Sequence, residues 1–381
     1  MAVRLTRASN LPIGVDMGSA SVTLAQLRLA DNRYQLISAA STELDEAPAN
    51  GAAETEPVAA DRESPLVDAI RRLLSQNVFK GRSCILSLPA HDTFVQHVKI
   101  SKDSYETPEE LDRAVRWELV TRTPHFAGNP VEANDAVVRH VMVGREVYED
   151  GQSKDEAIAF CVTQATMRRY LDVARRAKLQ VVGVSVESCA IVECFSRLFR
   201  RAVDMERTFM FVDLGASSTQ VAICQGPHLL FARNLDHGGR NLDAAVAEAM
   251  GVGPAEAREM RIRARQGEGN EQDRQYLQQC METPLADLAA MMGQCLDYYG
   301  SVGGDRRMER VVFVGGGAYD RWLCNELALR LNLPGQIGNP LLGVRSVAGQ
   351  ADGHDAGTEA AISRPDWTVA VGLSVGASMA A

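Results

Sequence analysis

The sequence predicts a mixed α/β protein of two related halves, with a small α+β unit inserted in the first. Three observations predict it. A turn occurs twice: Asp16-Met17-Gly18-Ser19-Ala20-Ser21-Val22 and Asp213-Leu214-Gly215-Ala216-Ser217-Ser218-Thr219. Each copy reads Asp, apolar, Gly, three small residues, β-branched, and each lies between apolar runs, as a duplicated strand–turn–strand corner would. Between the copies, residues 91–179 read strand, helix, two strands, helix. Near the end, the apolar run Val311-Val312-Phe313-Val314 leads into Gly315-Gly316-Gly317 and then a helical pattern.

Taken in order, residues 1–10 read as a loose tail. Leu11–Met17, Val22–Leu29 and Tyr34–Ser41 read as a strand meander. Residues 43–63, rich in Ala, Glu, Asn and Pro, read as a flexible loop. A helix follows from Pro65 to Gln76, with Ser64 as N-cap and Pro65 at its first position. Cys84–Leu88 is a short strand, and residues 1–90 make the first part of the first half. In the insert, Thr93–Ile100 alternates as a strand. Thr107-Pro108-Glu109-Glu110 starts a helix carrying Leu111, Val115 and Leu119 on one face. Pro124 and Gly128-Asn129-Pro130 break the chain. Ala136–Val143 and Ala157–Thr163 read as strands around a polar connection, Glu146–Asp155, and a helix spans Ala165–Ala177. Residues 180–206 return to the first half with the strand Val181–Val186 and the helix Cys189–Phe199.

Residues 207–381 read as the second half. Its strands are Phe209–Leu214, Gln220–Cys224 and His228–Leu235, and Gly238-Gly239 precedes a helix over Asn241–Met250. A charged helix spans Glu256–Gln266, and Arg265–Asp273 reads as a loop. Apolar residues at three/four spacing then run from Leu277 to Tyr299, with Thr283-Pro284 capping a new helix. Arg310–Val314 is a buried strand, and Asp320 caps a helix bearing Leu323, Leu327 and Leu331. Gln350–Ser363 is a polar loop, and Asp366–Met379 a last helix without Lys or Arg.

The chain has 381 residues, a net charge of −9 and eight cysteines. The acidic balance argues against a nucleic-acid binder, which needs a basic stripe. The cysteines form no C-x-x-C pair and mostly lie in apolar runs, as reduced core residues do. No apolar run reaches the roughly 20 residues of a membrane span. The N-terminus shows no apolar core of a signal peptide, so a cytoplasmic protein is expected.

The repeated turn carries the chemistry. Gly18 and Gly215 permit a sharp corner, and the small residues Ser19, Ala20, Ser21 and Ala216, Ser217, Ser218 leave N–H groups free to cradle phosphate. Asp16 and Asp213 sit where carboxylates can hold Mg²⁺ through water; capping of their own turns is the alternative. Gly315, Gly316 and Gly317 let backbone approach a flat ligand, or simply make a tight β–α turn.

This order of motifs resembles the actin-like ATPase fold of actin, the Hsp70 ATPase domain and sugar kinases. That resemblance implies two RNase H-like halves with ATP and Mg²⁺ between them. It makes Asp16–Ser21 the first phosphate motif, Asp213–Ser218 the second, and Val314–Ala318 the adenosine motif. Glu187 falls at the first connecting motif, where it could position a hydrolytic water; a surface glutamate at a strand end is the alternative. The chain is more closely similar to the PilM family of type IV pilus assembly proteins, relatives of FtsA. Ser87-Leu88-Pro89, Ala114-Val115-Arg116-Trp117-Glu118, Val182–Glu187, Gly238-Gly239-Arg240-Asn241-Leu242 and Glu256–Arg261 carry that likeness. It implies that Gly238, Gly239 and Arg261 lie near the nucleotide. It also implies a site at the cytoplasmic face of the inner membrane, where a groove beside the insert docks the short tail of a PilN-like membrane protein. Thr23 stands where the family often carries Lys, and Arg261 where Lys is common.

The expected function is an ATP-binding assembly protein, at most a slow ATPase, able to form homo-oligomers. A metabolic kinase and an FtsA-like filament scaffold are the alternatives.

Overall fold

A computed structural model describes residues 9–44, 59–122, 125–126, 129–130, 135–149, 151–303, 307–346 and 363–376. The first half begins with β1 (Ser9–Asn10), β2 (Ile13–Met17), β3 (Ser21–Ala30) and β4 (Arg33–Glu43), then α1 (Ala59–Gln76) and β5 (Ser83–Leu88). The insert comprises β6 (Phe94–Ser101), α2 (Pro108–Arg122), the small pair β7 (His125–Phe126) and β8 (Asn129–Pro130), β9 (Ala136–Glu149) and β10 (Gln152–Thr163). There follow α3 (Gln164–Arg176), β11 (Gln180–Val186), α4 (Glu187–Ser196) and the short α5 (Ala202–Met205). The second half has β12 (Thr208–Leu214), β13 (Thr219–Gln225), β14 (His228–Leu235), α6 (Gly239–Met250), α7 (Pro254–Arg265), α8 (Glu271–Cys280) and α9 (Glu282–Gly303). It continues with β15 (Met308–Val314), α10 (Arg321–Arg330) and β16 (Gly335–Ile337) before β17 (Arg345–Ser346) and α11 (Thr368–Gly376).

Both sheets are built alike. In the first, β2, β3 and β4 form an antiparallel meander and β5 joins β2 in parallel, followed by β11. In the second, β12, β13 and β14 form the meander and β15 joins β12 in parallel, followed by β16. The strand carrying each Asp motif is therefore central, and its turn opens at the same end as the loop after the parallel neighbour. That places four loops around one space.

One face of the first sheet buries Ile13, Val15, Leu24 and Leu86 under α1 and α3. The other is covered by α11 and α4. Those two helices pack backbone to backbone: a Cβ on Gly372 would lie 1.8 Å from the Ala190 carbonyl oxygen. The N-terminus of α4 points at the space between the halves, and its body reaches β13 and β14 as well.

Several expectations change. Ser9 and Asn10 pair with β3 rather than trailing loose. Helix α1 starts at Ala59, so Pro65 lies inside it and residues 59–63 are not loop; residues 45–58 lie outside the described ones. The connection Glu146–Asp155 is paired strand on both sides, Tyr148 opposite Ser153. Backbone hydrogen bonds hold these polar residues as well as apolar ones, so their composition gave no sign of it. Helix α3 is not insert: Tyr170, Val173 and Ala174 share a core with Val67, Ile70 and Leu73 of α1. The insert's own core is Val98, Ile100, Val115, Leu119, Ala157 and Ala159. Helix α4 starts at Glu187, two residues early, and ends at Ser196; Glu187 therefore opens a helix rather than ending a strand. Residues 271–273, expected as loop, begin α8.

The largest change is at the end. Strand β17 pairs with β4, and α11 packs on β2, β3 and α4. The expected second half thus loses residues 345–346 and 368–376 to the first. The polar loop 350–362, the breakers Pro124 and Gly128, and residues 377–379 of the expected last helix lie outside the described residues. All eight cysteines are free, six of them buried and two half-buried.

Candidate functional site

The four loops surround a cavity of about 460 Å³, within the range of small-molecule sites. Its floor is three carboxylates. Asp16 ends β2, Asp213 ends β12 and Glu187 opens α4. By surface area each is half-buried, since the cavity opens above them, but protein closes around them on the other sides. Burial raises all three above the carboxylate range, and like charge adds to it: Asp366 acts on Asp16, Asp16 on Asp213, and both aspartates on Glu187. Asp16 is pushed up to about 6, with a lowering contribution from the Ser87 hydroxyl, which donates to its Oδ1 at 2.9 Å. Asp213 is pushed up to about 7 by burial and by Asp16. Glu187 is raised well above its ordinary value by burial, then Asp16, then Asp213, with a lowering contribution from the nearby Ala90 N–H. None of the three has a Lys or Arg partner among the described residues.

Backbone makes the walls. Gly18, Ser19, Ala20 and Ser21 line one side; Gly215, Ala216 and Ser218 line the other. Gly315, Gly316 and Gly317 follow β15. Gly315 has φ +80°, and a Cβ there would meet Asp213 Oδ1 at 2.0 Å, so the position accepts no side chain. Gly239, the first residue of α6, is also in the lining, and its N–H donates to the Gly215 carbonyl at 2.9 Å.

The rim is cationic and aromatic. Arg261 lines the cavity but is committed to Asp243 at 2.5 Å and the Gly239 carbonyl at 3.0 Å. Arg258 reaches across to Glu43 at 3.1 Å. Arg265 lies over the Tyr319 ring at 5.7 Å, and the Tyr319 hydroxyl donates to Asp366 at 2.5 Å.

The residues singled out from sequence thus come together, with two exceptions. Gly238 and Ser217 are outside the lining: Gly238 packs its Cα against the Ala216–Ser218 backbone, and the Ser217 hydroxyl faces Arg240 at 2.8 Å. Thr23, where the resemblance expects Lys, is buried in β3 with its hydroxyl on Ser41. Sequence reasoning missed Ser87, Gln220, Arg240 and Asp366. Arg240 bridges both repeated turns, donating to Ser217 Oγ at 2.8 Å and to the Ser19 carbonyl at 3.4 Å. It stands inside the Gly238–Leu242 motif, whose charge was the available signal. Gln220 follows the second turn directly, but nothing in a strand sequence says that its amide faces a cavity.

Among the described residues, no group of three His, Cys, Asp or Glu is placed to hold a metal directly, and no helix is long and apolar enough to cross a membrane. Among curated proteins no sequence matches the chain. The solved PilM–PilN type IV pilus biogenesis complex matches with TM-score 0.74 and 20% identity, over 96% of this chain and 98% of that one. The ethanolamine utilization protein EutJ from Carboxydothermus hydrogenoformans matches with TM-score 0.53 and 11% identity, over 98% and 92%. The fold is that of the actin-like ATPases. The family model described as type IV pilus assembly protein PilM matches residues 14–376, and this chain belongs to that family.

Proposed function

We propose that the cleft binds ATP with Mg²⁺, and that the chain is an assembly protein at the cytoplasmic face of the inner membrane. The insert and the surface beside it dock the tail of a PilN-like membrane protein. One observation carries the nucleotide reading: three carboxylates raised by burial sit without a Lys or Arg partner among the described residues, between two small-residue backbone turns. Such a floor fits a hydrated divalent cation, because a cation offsets the burial and the like charge that raise the acids. Asp16 and Asp213 would hold it through water. The N–H groups of residues 18–21 and 215–218 would take phosphate oxygens, and Gly315–Gly317 would pack on adenosine. The cation supplies charge neutralisation when bound; Glu187 has the position to accept a proton from water.

The docking reading draws on the solved PilM–PilN complex and on Trp117, which stands 67% exposed on the insert's helix α2. An exposed Trp of this kind is a usual anchor for a peptide.

Titration of ATP into the full chain, with and without Mg²⁺, tests the cleft. Binding that needs Mg²⁺ and disappears in Asp16→Ala/Asp213→Ala is the expected result. Binding indifferent to both, or phosphoryl transfer to a small sugar or acetate, contradicts it.

A further inference from the structure

Three side chains stand in a row across the second sheet. Asp213 of β12 lies opposite Gln220 of β13, and Gln220 lies opposite Asn234 of β14. Directly paired residues project to the same face, so the row runs sideways from the carboxylate floor. It ends at the root of the insert. Asn234 Nδ2 donates to the carbonyls of Ala90 and Thr93, each at 2.8 Å. Ala90–Asp92 is the 3-10 turn that enters β6, and Pro89, Ala90 and His91 also line the cavity. Ala90 is therefore approached from both halves. Its N–H lies near enough to Glu187 to favour the charged carboxylate, and Asn234 donates to its carbonyl.

The polarity of this row is fixed. Backbone carbonyls only accept, so the Asn234 amide has one possible orientation, and its oxygen must face Gln220. Gln220 Nε2 accordingly donates to Asn234 Oδ1 at 2.8 Å. That leaves Gln220 Oε1 over. The side chain is 3% exposed and belongs to the cavity lining, and this oxygen is buried with no partner. A buried acceptor without a donor is a standing cost that a suitable ligand group removes. A bare phosphate oxygen cannot do so, being an acceptor itself. A water or a hydroxyl can.

We propose that Gln220 and Asn234 are positioning residues that transmit the occupancy of the cleft to the root of the insert. A water or hydroxyl arriving with the ligand donates to Gln220 Oε1. The amide shifts to meet it, and Asn234 carries the shift to the carbonyls of Ala90 and Thr93. The inference rests on the nucleotide reading above. It adds to that reading a route from cleft to docking insert, with a donor-bearing group as its trigger.

Amide hydrogen exchange of the full chain tests it, read over residues 90–101 with and without saturating Mg·ATP. In the wild type, exchange in this segment changes at least about twofold on saturation. In Asn234→Ala, which lies outside the cavity lining, Mg·ATP binds within about threefold of wild type while the segment no longer responds. Asn234→Ser, whose side chain is too short to reach the Ala90 and Thr93 carbonyls, cuts the same route and serves if Asn234→Ala does not fold. A response that persists in either variant overturns the proposal, as does a wild type that binds Mg·ATP without any change at 90–101. A wild type that takes up no nucleotide contradicts the nucleotide reading itself and the relay with it.

Discussion

The two halves present the same turn but different neighbours. In the first, the row across the sheet is Asp16, Thr23 and Ser41, with Ser87 bonded to Asp16; in the second, Asp213, Gln220 and Asn234. The first row is closed by its own hydroxyls. Ser87 donates to Asp16 at 2.9 Å, Thr23 to Ser41 at 3.1 Å, and Ser41 to Asp366 at 3.1 Å, while Trp367 Nε1 donates to Ser41 at 2.8 Å. It ties β3 and β4 to the C-terminal segment, whose Asp366 adds like charge to Asp16. The second row has no hydroxyl on its Asp and leads to the insert. The duplicated turn sets where each carboxylate goes. The residues beside it set how readily it ionises and which part of the molecule feels it.

The comparison can be broken at its centre. Asp16→Ala/Asp213→Ala removes the floor from both halves and should weaken Mg·ATP binding by about a hundredfold or more, since each charged contact contributes about 1.5–3 kcal/mol. Equilibrium binding checks this, with circular dichroism to show that the fold persists. Gly315→Ala attacks the second half alone. Its φ of +80° and the 2.0 Å approach to Asp213 Oδ1 predict a loss of about 2–4 kcal/mol in denaturant unfolding.

The pH dependence follows from the raised acids. Unfolded Asp titrates near 3.8, folded Asp16 near 6 and folded Asp213 near 7. Between these values the folded chain binds more protons than the unfolded one, so without ligand stability falls as pH rises from about 4 to about 7 and then levels. Asp213→Asn should flatten this slope and stabilise the ligand-free protein by about 2 kcal/mol at pH 8. Unfolding midpoints at pH 5 and pH 8 measure it. Ser87→Ala should make the first row resemble the second. Loss of its hydrogen bond raises Asp16 toward Asp213, an effect of about 1 kcal/mol, seen as a higher pH midpoint for Mg·ATP binding. Arg258→Ala, which removes the exposed pair with Glu43, should change stability by less than about 1 kcal/mol.

Much of this was legible in the sequence, for local reasons. Alternating apolar residues and small-residue turns marked the two meanders, and Thr107 and Asp320 announced the helices they cap. What was illegible depends on distant partners. Nothing in Arg345 and Ser346 says that they pair with β4, and the apolar residues of α11 fit either half equally well. Tyr170 and Val173 of α3 look like insert by position and join the α1 core by packing. The site divides the same way. Asp16 and Asp213 were visible because the motif repeats. The leftover acceptor of Gln220 exists only because Ala90 and Thr93 turn the Asn234 amide, which no strand sequence displays.

Calorimetric titration of Mg·ATP into the full chain at pH 6.5, in two buffers of different ionisation enthalpy, tests the central claim most directly. If the cation meets Asp16, Asp213 and Glu187, binding must drive off the protons that those raised acids still carry, about one per molecule from Asp16 and Asp213 together. Binding that releases no proton and proceeds equally well without Mg²⁺ would contradict it.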